Sequence, residues 1–316
     1  MATSDQLTAS TAAAAKATSV AATMAAKTQG PLVIYHHNCA DGFGAAWCFH
    51  HHHKRQVVHR APPEFFPGKY GAPPPDVTGR DVYLVDFSFK LQVVEHMLAT
   101  AHSVTLIDHH KTAIDELQHL AFNHTASSLP KLRWFCDINR SGATLAWDYL
   151  FPGEPRPLLL GHIEDRDLWR FKLPHTREIQ AAVFSMPYSM DTWDKLMAGD
   201  AHDLVALTAQ GAAIQRKHTK DVAEIVDTCR RRMVIAGQEV WAASMPHIMA
   251  SDAGELMCQG EPFAAVYWDT EVHRQFSLRS RDGGADVSAI AASFGGGGHQ
   301  HAAGFRVTRD HELARA

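Results

Sequence analysis

Leu32-Val33-Ile34-Tyr35-His36-His37-Asn38-Cys39-Ala40-Asp41-Gly42 is a short apolar run that ends abruptly in polar, ligand-forming side chains. Two further stretches repeat the pattern: Val82-Tyr83-Leu84-Val85 runs into Asp86, and Val104-Thr105-Leu106-Ile107 runs into Asp108-His109-His110. Short apolar runs of this kind read as strands buried on both faces. Between them lie segments of helical spacing, one predicted from near Gly42 (Ala45, Ala46, Cys48, Phe49) and one from near Lys90 (Leu91, Val94, Met97, Leu98). Alternating strand and helix predicts an α/β chain whose N-terminal domain has a mostly parallel sheet flanked by helices. In an open parallel sheet, ligands bind in the crevice outside the C-terminal strand ends. Side chains far apart in sequence should therefore converge there.

Working outward from that core, the stretch from Pro62 to Pro75 reads as a proline-rich loop. Residues 1–30 form an Ala/Ser/Thr-rich tract without large periodic apolar side chains, expected to be a disordered tail. The first folded domain is expected over 31–190. From 191 to 232 the spacing of Leu196, Leu204, Leu207, Ile214, Val222 and Ile225 predicts a long helical linker. Strands are predicted at Met233–Ile235, Val240–Ala243, Phe263–Trp268 and Gln275–Arg279, with a helix at Val287–Ser293. These define a second, smaller α/β domain over 233–316.

The charge balance of 30 basic against 34 acidic residues gives −4 and argues against a partner bound through bulk positive field, such as long duplex nucleic acid. Five cysteines without a C-x-x-C pair read as reduced thiols. No apolar run suits a membrane span and no charged region followed by an apolar one opens the chain, so a soluble intracellular protein is expected. The compartment would be cytoplasmic, or an organelle if the tail is a transit peptide. The 22 histidines raise metal chemistry as a question, although the run His50–His53 reads as a solvated helix end.

Carboxylates and imidazoles converging without a required thiolate suit a borderline divalent ion: Mn²⁺ first, with Mg²⁺, Co²⁺ or Zn²⁺ as competitors. A lone aspartate at a strand end is ordinarily a cap or turn former. Asp41, Asp86 and Asp108 gathered together repel one another, however, and need a cation to be stable there. Ser141-Gly142-Ala143-Thr144 reads as a helix start capped by Ser141, its first amides available to a phosphate.

On these residues the sequence resembles the DHH phosphoesterases that carry a DHHA1 domain. Asp108-His109-His110 resembles the name-giving motif, and His37 with Asp41 and Gly42 the first motif. Asp86 resembles the second, and Asp165 in His162-Ile163-Glu164-Asp165-Arg166-Asp167 the fourth. Gly295-Gly296-Gly297-Gly298-His299, followed by Ala302-Ala303-Gly304 and preceded by Arg279, resembles the DHHA1 signature. The resemblance implies that His37, Asp41, Asp86, His109 and Asp165 hold one or two ions, Mn²⁺ foremost. It implies that Asp108 orients its neighbours and that His110 donates to a phosphoryl or leaving-group oxygen. Arg279, Gly296, Gly297, Gly298 and His299 would hold the substrate phosphate. His36 is the rival of His37, and Asp167 of Asp165. One departure stands out: where the family commonly places a further aspartate, this chain has Phe43, and the loss of that carboxylate is expected to weaken the second ion's site. The implied activity is hydrolysis of phosphoester bonds in small nucleotides or short oligonucleotides, in the manner of a phosphodiesterase or an oligoribonuclease-like exonuclease. A pyrophosphatase or polyphosphatase, or a noncatalytic nucleic-acid-binding protein that keeps the fold, are the alternatives. No membrane partner is expected, and a homodimer is left open.

Overall fold

The computed structural model describes residues 30–57, 61–122 and 132–315. The tail expected over 1–30 therefore lies, apart from Gly30, outside the described residues. Two compact units emerge. The first comprises the residues up to His109, Glu116–Arg170 and Pro187–Asp200. The second comprises His110–Asp115, Phe171–Met186 and the chain from Ala201 onward.

The first unit is built on a five-stranded sheet, β1 (Leu32–His36), β2 (Glu64–Gly68), β3 (Asp81–Val85), β4 (Ser103–Asp108) and β5 (Arg133–Cys136), in the order β2-β1-β3-β4-β5. Every pairing is parallel. The apolar runs explain why: Leu32, Ile34, Leu84 and Leu106 are fully buried, each stabilising the fold by about 1.5–3 kcal/mol relative to exposure. Register then does the positioning. Tyr35 pairs with Val85 and Val85 with Ile107, so His36, Asp86 and Asp108 emerge side by side from adjacent strands.

Helix α1 (Ala40–Arg55) returns from β1 after a turn at Asn38, whose φ of 54° lies in the left-handed region. A Cβ on Gly42 would lie 2.6 Å from the His36 carbonyl oxygen, so only glycine lets the helix start this close to its strand. Helices α2 (Leu91–Thr100) and α3 (Lys111–Phe122) follow β3 and β4. Beyond them come α4 (Gly142–Leu150) and α5 (Leu158–Asp167). Val94, Met97, Leu98 and Leu117 join Leu32, Ile34, Leu84 and Leu106 in one apolar cluster.

Two strands depart from expectation. β2 lies within the stretch read as a proline-rich loop, where Pro67 is tolerated because β2 is an edge strand. β5 carries only four residues of mixed exposure and leaves little apolar signal. The helical stretch expected from 191 to 232 is broken at 198–200 into α7 (Met190–Met197) and α8 (Ala201–Cys229), after α6 (Thr176–Phe184).

The second unit holds a mixed six-stranded sheet: β6 (Arg231–Ile235), β7 (Gln238–Ser244), β8 (Ala264–Asp269), β9 (His273–Arg279), β10 (Gly297–His299) and β11 (Ala302–Thr308), ordered β10-β11-β9-β8-β7-β6. β7 and β8 run parallel and the other pairs antiparallel. Alternation is clean in β9, where Arg274, Phe276 and Leu278 are buried. Helices α9 (Ala250–Met257), α10 (Val287–Ser293) and α11 (Glu312–Arg315) complete the unit, and α10 matches its predicted bounds. Asp286 caps α10 by accepting from the amides of Ser288 and Ala289 at 3.0 and 3.3 Å. Among the described residues no helix is long and apolar enough to cross a membrane.

Candidate metal centre

Four carboxylates and one imidazole meet at the C-terminal edge of the parallel sheet. Asp41, Asp86, Asp108 and His109 are each 1% exposed or less. His109 Nε2 stands 3.0 Å from Asp86 Oδ1, 3.6 Å from Asp41 Oδ2 and 3.5 Å from Asp167 Oδ2. Asp86 faces two ways, its Oδ2 lying 3.4 Å from His36 Nδ1. It does so from a backbone φ of 51° at the end of β3, a left-handed conformation that aspartate and asparagine tolerate better than most residues.

Local structure fixes the other donors. Asp41 sits in the first turn of α1 and accepts from the amides of Gly142 and Ala143 at 2.5 and 3.0 Å, anchoring it on the start of α4. The positive end of that helix favours the carboxylate. Ser141 caps α4 as the sequence suggested, accepting from the Thr144 amide at 3.4 Å, but the amides expected to face a phosphate serve Asp41 instead. Glu164 secures the same helix start, accepting from the Ser141 amide and from Arg140 Nε, each at 3.2 Å, and from the Thr144 hydroxyl. Burial raises the Glu164 carboxyl, yet the Thr144, Ser141 and Arg140 donors outweigh it and hold the group below its usual range. Asp108 Oδ1 accepts from the His109 amide at 2.7 Å, fixing the backbone from which the imidazole projects.

The electrostatics favour a cation at this cluster. Burial, then the charges of Asp86 and Asp167, push the Asp41 carboxyl well above the usual carboxylate range. Burial lowers the His109 imidazole, but the Asp167, Asp86 and Asp41 carboxylates outweigh that effect and carry it up to about 10. A proton on His109 thus partly does what a metal ion would do. Burial and the Asp86, Asp167 and Asp41 charges likewise push the Cys39 thiol up, opposed by the Gly42 amide at the start of α1.

Ligand atoms of Asp41, His109 and Asp167 all lie within 4.8 Å of one another, as do those of Asp86, Asp108 and His109, and those of His36, Cys39 and Asp86. Donors bound to one ion at about 2.1–2.2 Å are about 3.0 Å apart at right angles and about 3.5 Å apart at the tetrahedral angle. The separations of 3.0, 3.5 and 3.6 Å from His109 Nε2 to Asp86, Asp167 and Asp41 fall near those edges, so these residues fit a divalent ion.

Of the sequence-predicted ligands, Asp41, Asp86 and His109 come together, with Asp108 behind His109. His37 does not join them. It is exposed beyond the end of β1, while His36 faces Asp86. Asp165 is buried in α5, and of these two aspartates it is Asp167 that stands within 4 Å of the His109 imidazole. Two residues apart on a helix is about 200° of rotation, so the two cannot share a face. Phe43 points into an aromatic cluster with Tyr35, Tyr188 and Trp193, whose ring centroids lie 5.0–5.7 Å away. Cys39 and Glu164 escaped the sequence reading as members or supports of the site. The only signal for Glu164 was its place in the His162–Asp167 run.

In the second unit, His110 and His299 stack with centroids 4.6 Å apart and planes 19° from parallel. The Gly298 amide donates to Thr112 Oγ1 at 3.0 Å, and the Gly296 amide to the Ala291 carbonyl at 2.8 Å. A Cβ on Gly296 would lie 2.1 Å from the Gly304 carbonyl oxygen, and one on Gly297 2.6 Å from Thr112 Oγ1. The glycines are thus required by close packing. Arg279 lies over Gly254, its Nη2 donating to Ser251 Oγ at 2.7 Å and its Nη1 to Ser277 Oγ at 3.0 Å.

Comparison with known proteins gives the fold. No family model matches the sequence. An uncharacterized protein of Acanthamoeba polyphaga mimivirus is 28% identical over 303 residues, spanning 88% of this chain and 68% of the viral protein. Among solved structures, the DHH domain of a protein assigned to a ribosomal-protein family superposes with a TM-score of 0.58 at 12% identity, over 93% of this chain and 87% of the other. RecJ from Thermus thermophilus, in complex with Mn²⁺, is similar more loosely, with a TM-score of 0.46 at 13% identity over 90% of this chain and 51% of that one. The chain has the fold of the DHH-domain proteins: a parallel sheet flanked by helices, followed by a second, mixed sheet.

Proposed function

We propose that the protein is a divalent-metal-dependent hydrolase of phosphoester bonds, with small nucleotides or short oligonucleotides as substrates and Mn²⁺ as the preferred ion. The observation that carries this reading is the gathering of Asp41, Asp86 and Asp167 around one His109 nitrogen, with Asp41, Asp86 and His109 buried. Bound divalent ions supply Lewis-acid polarisation of a phosphoryl oxygen and lower the pKa of water. Imidazole and carboxylate donors without a full thiolate shell favour Mn²⁺, with Mg²⁺ and Co²⁺ as substitutes.

The chain's own residues divide the work. Asp86 turns one oxygen to His109 and the other to His36, Asp41 is held in place by the α4 amides, and Asp108 fixes the His109 backbone. Asp167 is the partly exposed member, with a quarter of its side chain accessible (26%), and it lies on the solvent side of the cluster. In the second unit, the imidazoles of His110 and His299 and the guanidinium of Arg279 are groups of the kind that bind a phosphate. Gly296, Gly297 and Gly298 hold the strand that carries His299 in place. The near-neutral charge favours a short substrate over long duplex.

Turnover of a dinucleotide and of bis-p-nitrophenyl phosphate by the purified chain, with Mn²⁺ added back after chelation, tests the reading. Activity should return with Mn²⁺ and be lost in Asp86→Asn. Absence of turnover on dinucleotides, graded oligoribonucleotides and pyrophosphate alike would overturn it.

A further inference from the structure

We propose that His36, Cys39 and Asp86 form a second divalent-ion site in which Cys39 binds as a thiolate, so that the two ions of the centre have different chemical preferences. The inference rests on the metal-centre reading above and extends it through Asp86 to His36 and Cys39, which that reading does not use as ligands. His36 Nδ1, Cys39 Sγ and an Asp86 carboxylate oxygen lie within 4.8 Å of one another. Asp86 apportions its oxygens, Oδ1 at 3.0 Å from His109 Nε2 and Oδ2 at 3.4 Å from His36 Nδ1. That is the posture of a carboxylate bridging two ions.

Cys39 is placed by the same turn that ends β1. It occupies the N-cap of α1, where Ser, Thr, Asp or Asn ordinarily closes the first turn, yet its side chain makes no capping hydrogen bond. Its sulfur belongs instead to the His36 and Asp86 group. Phe43 cannot contribute, being 5% exposed and enclosed by rings. The sulfur therefore supplies the donor that Phe43 lacks. The Asp41, His109 and Asp167 group is hard, whereas imidazole with thiolate is softer and selects Zn²⁺ or Co²⁺ over Mg²⁺.

Co²⁺ titration of the chelator-stripped full chain decides the matter, because cobalt reports sulfur ligation through a near-ultraviolet charge-transfer band independent of activity. Two Co²⁺ per chain and that band are expected. Cys39→Ser should abolish the band and reduce uptake to one ion, while Cys229→Ser, an exposed thiol, should leave both unchanged. His36→Ala should weaken the second ion at least tenfold. If Cys39→Ser does not fold, X-ray absorption of the Zn²⁺-loaded natural chain serves in its place, expecting a sulfur scatterer at about 2.3 Å. Cobalt bound without the band, or a band that survives Cys39→Ser, overturns the thiolate site and leaves the metal centre standing. No uptake at all overturns both.

Discussion

Gly142 provides the sharpest test of how the centre is held. Helix propensity alone favours alanine over glycine by up to about 1 kcal/mol, so Gly142→Ala at the first residue of α4 would be expected to stabilise. The packing says otherwise. A Cβ there would lie 2.5 Å from Asp86 Cβ and 3.0 Å from Asp41 Oδ2, whereas carbon atoms settle at about 3.5–4.0 Å. Relieving that contact moves the helix start by roughly 1 Å. The bonds from the Gly142 and Ala143 amides to Asp41, now 2.5 and 3.0 Å, would then pass out of good hydrogen-bond range. Overpacking costs about 1–3 kcal/mol and one lost charge-assisted bond about 1.5–3 kcal/mol. Net of propensity, the variant should be about 2–5 kcal/mol less stable. Urea unfolding of the metal-free chain, followed by tryptophan fluorescence, measures it. Gly44→Ala, whose Cβ would meet the Ala143 methyl at 3.0 Å and the Trp193 ring at 3.3 Å, should lose less. A Gly142→Ala chain as stable as the natural one would refute the reasoning.

Other outcomes follow from the same geometry. His109 is held near 10 in the folded chain against about 6.5 unfolded. Its contribution to metal-free stability is therefore complete below about pH 6.5 and lost as pH rises through about 10, with a slope of up to about 1.4 kcal/mol per pH unit. His109→Gln should flatten that profile in urea titrations at graded pH. Because proton and cation compete for one nitrogen, Mn²⁺ affinity measured by calorimetry should rise up to about tenfold per pH unit in the same window. Asp167→Asn should weaken Mn²⁺ binding at least tenfold, while Asp165→Asn and His37→Ala leave it within about twofold; equal losses in all three would reverse the placement of the ligands. Phe43→Asp should destabilise the chain by about 3–5 kcal/mol, because the new carboxylate is buried among rings. A gain in metal affinity from that change would contradict the observed packing.

The strands that carry the centre were legible because each is a continuous apolar run stopped by a polar residue, as in Val104–Ile107 before Asp108. β2 and β5 were not, since Pro67 masks the first and the second has too few buried positions to show a period. Within the site, legibility stopped at matters of rotation. Counting back from Asp41 favours His37, but β1 continues through His36 before Asn38 turns the chain, and that parity exists only in the backbone. Asp165 and Asp167 differ by a helical turn's fraction that the motif does not encode. The start of α4 was readable at Ser141, yet its service to Asp41, 101 residues earlier in the chain, is a tertiary fact.

Asp86 carries a consequence for how this protein can vary. Its φ of 51° admits glycine, asparagine and aspartate with little strain and resists β-branched side chains. Its charge also supports the protonated His109 of the metal-free chain, but it becomes decisive once an ion is to be held. Selection for folding alone at position 86 should therefore return a small group, Gly, Asn and Asp, and selection for activity should narrow that group to one. The position is a two-stage filter in which shape and chemistry can be scored separately, and Asn at 86 is the variant that passes the first stage and fails the second.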